Sequence, residues 1–135
     1  MSEVQSSREE VVAEYNLLSQ LLDEVRKRID LLNATLTEIS ASKSALDEVQ
    51  VLNEGEELMV PLGAGVYARA KLASKNSMLV SIGAGLLVER NLDETRRTLE
   101  NKEQRIRDAL QRSLAEYQAI LNRLRELEQK IRVTK

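Results

Sequence analysis

Val60-Pro61-Leu62-Gly63-Ala64-Gly65-Val66 returns twenty residues later as Val80-Ser81-Ile82-Gly83-Ala84-Gly85-Leu86. Two similar β-units are implied. Glycine supplies the positive φ of a tight chain reversal, so each unit is expected to be a hairpin closed by a three-residue Gly-Ala-Gly loop, giving four short strands. A Gly-Ala-Gly kink within a continuous strand is the alternative reading. Val66-Tyr67-Ala68-Arg69-Ala70-Lys71-Leu72 shows the period-two alternation of a half-buried strand. Ser74-Lys75-Asn76-Ser77 signals a turn before the apolar run Met78 to Ile82. Four short strands with no covering layer leave unpaired edges and an uncovered apolar face, which soluble proteins bury against a partner. Val60, Leu62, Val66, Ala68, Met78, Val80, Ile82, Leu86 and Val88 are the expected assembly surface; packing within one subunit is the alternative.

On either side of this β-rich segment the texture changes. Val11, Tyr15, Leu18, Leu22, Val25, Ile29, Leu32, Leu36 and Ile39 recur at alternating spacings of three and four, with Lys43 breaking the run before Leu46. That period of 3.5 predicts a coiled-coil helix rather than a surface helix of a globular domain. Ser7 with Glu10 reads as a capping box, placing the helix start near Arg8, and Gly55 reads as its stop. After the β-segment, Leu92, Leu99, Ile106, Leu110, Tyr117, Ile120, Leu124, Leu127 and Ile131 form a second seam interrupted by Arg96, Glu103 and Ser113. Asn91 followed by Glu94 is its N-terminal cap signal, with Lys130 and Arg132 suited to its C-terminal end.

Folding one helix back on the other sets residues whose numbers sum to 142 face to face, such as Leu18 with Leu124 and Leu22 with Ile120. A heptad-shifted register satisfies the apolar pattern almost as well. The expected fold is α+β and mainly α: a long antiparallel two-helix coiled coil, with arms roughly 60 Å long, joined by two β-hairpins. Its parts are residues 1–55, 56–90 and 91–135 of a single domain.

Composition narrows the chemistry. The 135 residues contain no Cys, His, Phe or Trp, and 31% are charged, a mix typical of long helices. Without Cys or His the chain lacks thiolate nucleophiles, the commonest metal ligand and the usual general base near neutral pH. No catalytic, metal or cofactor site is expected; the carboxylates fall at solvated helix positions among Lys and Arg. The net charge of −2 balances 20 basic against 22 acidic residues, favouring neither nucleic acid nor membrane as a partner. Met1 to Glu10 is polar, without the apolar core of a signal peptide, and no stretch approaches the roughly 18 to 20 apolar residues of a membrane span, so a cytoplasmic protein is expected. The Gly-Ala-Gly stretches open no helix and precede no Gly-Lys-Ser/Thr, so they are not phosphate cradles. The arginines from Arg96 to Arg125 alternate with acids such as Glu94, Glu100 and Asp108, which reads as an ion-paired solvated face.

Helix, twice-repeated Val-x-Leu/Ile-Gly-Ala-Gly unit, helix: this order resembles the α-type subunits of the prefoldin family, across essentially the whole chain. The residues that carry it are Val60-Pro61-Leu62-Gly63-Ala64-Gly65-Val66-Tyr67 and Val80-Ser81-Ile82-Gly83-Ala84-Gly85, which look like that family's two hairpins; its β-type subunits have one. The short termini are more similar to archaeal members. The resemblance implies an ATP-independent holding chaperone, a hexamer of two α-type and four β-type subunits whose strands assemble into β-barrels. It further implies capture of unfolded polypeptides by the coiled-coil tips and their delivery to a group II chaperonin. The rival functions are a passive coiled-coil scaffold or adaptor, including a prefoldin-like paralogue without client binding, and a helical enzyme subunit, which the missing His and Cys disfavour.

Near the free ends of the arm, Val12, Leu17, Leu21, Leu114, Leu121 and Val133 fall off the seam, so part of their surface is expected to stay wet. The alternative is that they widen the intrachain seam. If the tips splay, Val11, Tyr15, Leu18, Leu124, Leu127 and Ile131 add to the apolar surface offered to a client.

Overall fold

The computed structural model describes the backbone of residues 2–133 and the side chains of residues 7–133. Helix α1 (Ser2–Val51) is followed by strands β1 (Glu57–Gly63), β2 (Val66–Lys71), β3 (Met78–Gly83) and β4 (Leu86–Arg90), then helix α2 (Leu92–Val133). The chain divides into two compact units, Met1–Leu36 with Arg105–Lys135, and Thr37–Gln104.

In the first unit α1 and α2 pack antiparallel around the predicted seam. Val25, Ile120 and Leu124 form its buried centre, with Tyr15, Leu18, Leu22, Ile29 and Tyr117 against them. Val25 and Leu127 retain 0% exposure, so the seam excludes water most completely at these two residues. Ser113 is buried although polar; it interrupts the apolar run without interrupting the packing. Polar contacts flank the seam. Arg123 grips Glu14 with two nitrogens, Nε to Oε1 at 3.0 Å and Nη2 to Oε2 at 3.1 Å. Tyr15 donates its hydroxyl to Glu128 at 3.2 Å, and Arg28 meets Glu116 at 3.1 Å. These three pairs bracket the 142 register.

In the second unit, Ile39 and Leu46 are buried and the polar interruptions meet one another. Lys43 Nζ lies 3.6 Å from Glu103 Oε1, and Arg96 reaches Asp47 at 2.8 Å and the side-chain oxygen of Gln50 at 3.2 Å. Helix α1 has no basic residue in its last turn, but Lys75, from the linker between hairpins, donates its ammonium to the Gln50 carbonyl at 2.8 Å. That places a cation at the negative end of the helix. Asn91 caps α2 as expected: its side-chain oxygen accepts the Glu94 N–H at 2.8 Å.

Two terminal expectations are corrected. Helix α1 begins at Ser2, not near Arg8, so Ser7 lies inside it and forms no capping box. Val4 stands one heptad before Val11, and the seam pattern thus continues past the local cap signal. The helix also ends at Val51, before Gly55. Gly55, at φ +87°, instead turns the chain into β1, its N–H donating to the Leu72 carbonyl at 2.7 Å.

The repeat folds as two separate antiparallel hairpins, β1–β2 and β3–β4. Their closure differs from the three-residue loop expected. Gly63 pairs with Val66 and Gly83 with Leu86, so only Ala64-Gly65 and Ala84-Gly85 span the turns, and the preceding glycine sits at a bulge in the ladder. Positive φ at both central residues, 52° and 79° in the first turn and 52° and 74° in the second, is the signature of a type I′ turn. Ala64 and Ala84 therefore occupy left-handed backbone that disfavours a Cβ.

Two outcomes are expected. Ala64→Gly or Ala84→Gly should stabilise the chain by up to about 1 kcal/mol in urea unfolding, because strain relief at φ +52° opposes the added freedom of the unfolded chain; a loss of stability in both variants contradicts the turn assignment. At the clamp, the hydrogen bond from Arg123 holds the Glu14 carboxyl below its ordinary 4.5. A folded-state value below the unfolded one gives stability that is whole above that ordinary value and is lost as pH falls through the folded one. Wild type should thus melt above Glu14→Gln near neutral pH, the gap closing in acid below pH 4.5; a gap constant through that range removes the clamp from the account.

Candidate assembly and client-binding surfaces

The exposed apolar side chains gather on the hairpins and along the helices of the first unit, and each group follows from the local fold. In the hairpins, cross-strand partners share a face. Leu58 pairs with Ala70 and Val60 with Ala68 on one face of β1–β2; Met59 pairs with Arg69 and Pro61 with Tyr67 on the other. The same holds in β3–β4, with Met78 opposite Arg90 and Val80 opposite Val88 on one face, and Leu79 opposite Glu89 and Ser81 opposite Leu87 on the other.

Of the nine residues expected at an assembly surface, Ala68, Met78, Val80 and Val88 are half-buried, whereas Val60, Leu62, Val66, Ile82 and Leu86 are exposed. The opposite face was missed by sequence reasoning, yet Met59, Tyr67, Leu79 and Leu87 are exposed there. A signal for them exists: Met78-Leu79-Val80 and Leu86-Leu87-Val88 are continuous apolar runs, the pattern of strands buried on both faces rather than one. Beside hairpin 1, an open apolar groove of about 950 Å³ runs along the last turns of α1, lined by Ala41, Ala45, Val49, Leu52, Leu58 and Val60.

In the first unit the off-seam residues divide. Leu17 and Val133 are 67% and 81% exposed, enough to offer most of the side chain without any movement, and Val12 and Leu114 are also exposed. Leu21 and Leu121 are half-buried, Leu21 packing against the seam cluster, so these two widen the seam as much as they face water. Among seam residues near the ends, Val11, Tyr15, Leu18 and Ile131 are half-buried while Leu124 and Leu127 are buried. The last two become available only if the helices part. Beside them the Glu14–Arg123 pair and the Tyr15–Glu128 bond join the helices, and the Glu128 carboxylate that receives the Tyr15 hydroxyl raises the phenol's pKa.

Both surfaces are built mainly from apolar side chains. Among the described residues no three acidic side chains converge as a metal site, and no helix is long and apolar enough to cross a membrane. What both offer is apolar contact area and, in the hairpins, unpaired backbone.

Comparison with known proteins places this arrangement. A family model described as Prefoldin subunit matches residues 18–134. The chain is 33% identical to prefoldin subunit alpha of Thermofilum pendens, over 93% of this chain and 98% of that one. It is 29% identical to prefoldin subunit alpha of Methanobrevibacter smithii, over 87% and 80% of the two chains. Among solved structures, a filamentous PFD from Methanocaldococcus jannaschii, determined by cryo-EM, has a similar fold at TM-score 0.70, with 20% identity over 90% of this chain and 98% of that one. With a family match over most of its length, and a relative of this identity spanning nearly all of it, the chain belongs to the prefoldin family, as a subunit of its two-hairpin α class.

Proposed function

We propose that this chain is the α-type subunit of an ATP-independent holding chaperone, working as one prefoldin-type domain, which captures unfolded polypeptides with the free ends of its coiled coil. The observation that carries the reading is that exposed apolar surface occurs twice, in structurally different settings. On the hairpins it accompanies unpaired strand edges, which suits a permanent interface with other prefoldin subunits. On the helices of the first unit it consists of single exposed side chains such as Val12, Leu17 and Val133 on regular helix, which suits weak and reversible contact.

Capture then needs no covalent step. Each contact is weak, but several arms gripping one client convert later contacts into intramolecular ones and raise the overall affinity by orders of magnitude. The hexamer of two α-type and four β-type subunits, the hand-over to a group II chaperonin and a cytoplasmic location belong to this proposal. The type I′ turns also support work without nucleotide, since in each hairpin the Gly-Ala-Gly joins two strands and leads into no helix N-terminus where a phosphate could sit.

The reading is tested by assembling the chain with a single-hairpin β-type subunit and measuring suppression of aggregation of a denatured protein without ATP. Assembly with suppression is expected; assembly without it identifies a passive scaffold, and failure to assemble overturns the subunit reading. Replacing Leu17, Leu21, Leu121 and Val133 with Ser should weaken client holding by about tenfold or more while the assembled mass stays unchanged, the size expected for several lost side-chain burials of around 1 kcal/mol each at partly wet positions. Unaltered holding by that variant removes these residues from the client site.

A further inference from the structure

Leu31 is 69% exposed although it stands well back from the free end of α1, and Leu17, 67% exposed, precedes it by two heptads. With the seam residues of α1 at heptad positions a and d, both leucines fall at c, on the side turned away from α2. Glu24 occupies the c position between them. At about 1.5 Å per residue, an apolar, an acidic and an apolar side chain thus stand in line at intervals of about 10 Å.

The charges around these leucines have one prevailing sign. Positions b, c and f form the outward face of each helix in the first unit, and from Glu9 to Ala34 and from Arg105 to Val133 every such residue is exposed. On α1 this face carries Glu9, Glu10, Asp23, Glu24 and Asp30 against a single cation, Lys27, whose ammonium lies 3.6 Å from Asp23. On α2 it carries Arg105, Arg112, Arg125 and Arg132 against Asp108 and Glu126, the latter bound to Arg123 at 3.0 Å. The near-balance of charge over the whole chain therefore conceals two outward faces of opposite sign, and Leu17 and Leu31 stand on the negative one.

We propose that the outward face of α1, anchored by Leu17 and Leu31, holds basic segments of unfolded polypeptide, rich in lysine or arginine and carrying apolar side chains at a matching spacing. This deepens the client half of the proposed function, on which it rests, by naming the class of client. The occupant follows from charge and length. Glu24 and Asp30 attract cationic chain and repel acidic chain, so they discriminate between clients that two leucines alone would accept equally. In an extended chain, residues i and i+6 point the same way about 20 Å apart, against about 21 Å between Leu17 and Leu31 along the helix. A lysine between those two anchors reaches Glu24 with its ammonium while its methylene stem lies along the helix. Two leucines offer far less area than a lasting interface needs, so each contact stays reversible.

Titration of the full chain with two short peptides, followed by backbone amide chemical shifts, tests this. Each peptide carries two leucines six residues apart, separated by lysine and serine in one and by glutamate and serine in the other. The lysine peptide should bind about tenfold more tightly at low salt and shift the amides of Leu17, Glu24 and Leu31. Its advantage should vanish in about 1 M salt, where the screening length falls to about 3 Å. Glu24→Gln combined with Asp30→Asn should weaken the lysine peptide about fivefold without weakening the glutamate peptide. Leu31→Ser should weaken both about fivefold. All three positions are exposed, so the variants should melt with wild type, as circular dichroism would check. Equal affinity for the two peptides, or an advantage untouched by salt, overturns the charge selection. Undiminished binding by Leu31→Ser overturns the anchor, and shifts confined to α2 overturn the face. Salt-sensitive self-association that Glu24→Gln with Asp30→Asn abolishes makes the basic face of a second copy the occupant and overturns the client. Suppression of aggregation by the complex with β-type subunits is scored separately. Suppression without any peptide preference overturns this inference alone; a peptide preference without suppression counts against the proposed function alone.

Discussion

A strand has two hydrogen-bonding edges, and a two-stranded sheet leaves one of them unmet on each strand. That constraint governs the head of this molecule, whose four strands form two such sheets rather than one of four. An open edge in water is tolerable when one face of the sheet packs on a core. Here Val60, Leu62 and Val66 on one side and Met59, Tyr67, Leu79 and Leu87 on the other leave both faces apolar and wet. One chain cannot cover two faces and four edges with 34 residues between Glu57 and Arg90. On the proposed function the head is thus an unfinished structure that other subunits complete. The bonds from Gly55 to Leu72, from Leu72 to Glu56 and from Lys75 to Gln50 fasten hairpin 1 and its following linker to the end of α1.

The helices solve a different problem, that of keeping one register among several the apolar pattern allows. Lys43 and Glu103 look like defects when each seam is read alone, but they lie 3.6 Å apart across the pair. Sliding one helix by a heptad sets Lys43 opposite either Arg96 or Leu110, a like charge or an apolar side chain. Both alternatives lose the ion pair and put a like charge or an apolar side chain beside the Lys43 ammonium. The polar interruptions consequently act through specificity, as polar residues at seam positions of coiled coils do.

Much of this was legible in the sequence. The seams, the repeat and the Asn91 cap all depend on local patterns with one dominant physical cause, and each appears where those patterns put it. The start of α1 was not, because the Ser7–Glu10 cap signal competes with a heptad that runs on to Val4, and a helix in progress needs no cap. The turn was misjudged by one residue: Gly63, Ala64 and Gly65 all have positive φ, and only the ladder register reveals that Gly63 belongs to the strand as a bulge. Apolar positions alone leave the register open, and the Lys43–Glu103 contact across the pair is one that the apolar pattern does not display. The second apolar face of the hairpins is not found by period-two reasoning, which assigns one face to water and so fails for strands with apolar residues on both faces.

Completing the head and gripping a client place opposite demands on apolar surface. A lasting interface needs continuous area and backbone pairing, and the head supplies both. Reversible holding needs apolar groups that stay exposed on a frame that does not collapse around them. On the proposed function Leu17 and Val133 serve that need, standing exposed on helices whose own seam is already satisfied by Val25, Leu124 and Leu127. Arg123 with Glu14 and Tyr15 with Glu128 reinforce that frame beside its most buried residues. An arm sealed by its own seam can present a few wet apolar side chains without unfolding to do so, and on the proposed function this separates the residues that hold the arm from those that hold the client.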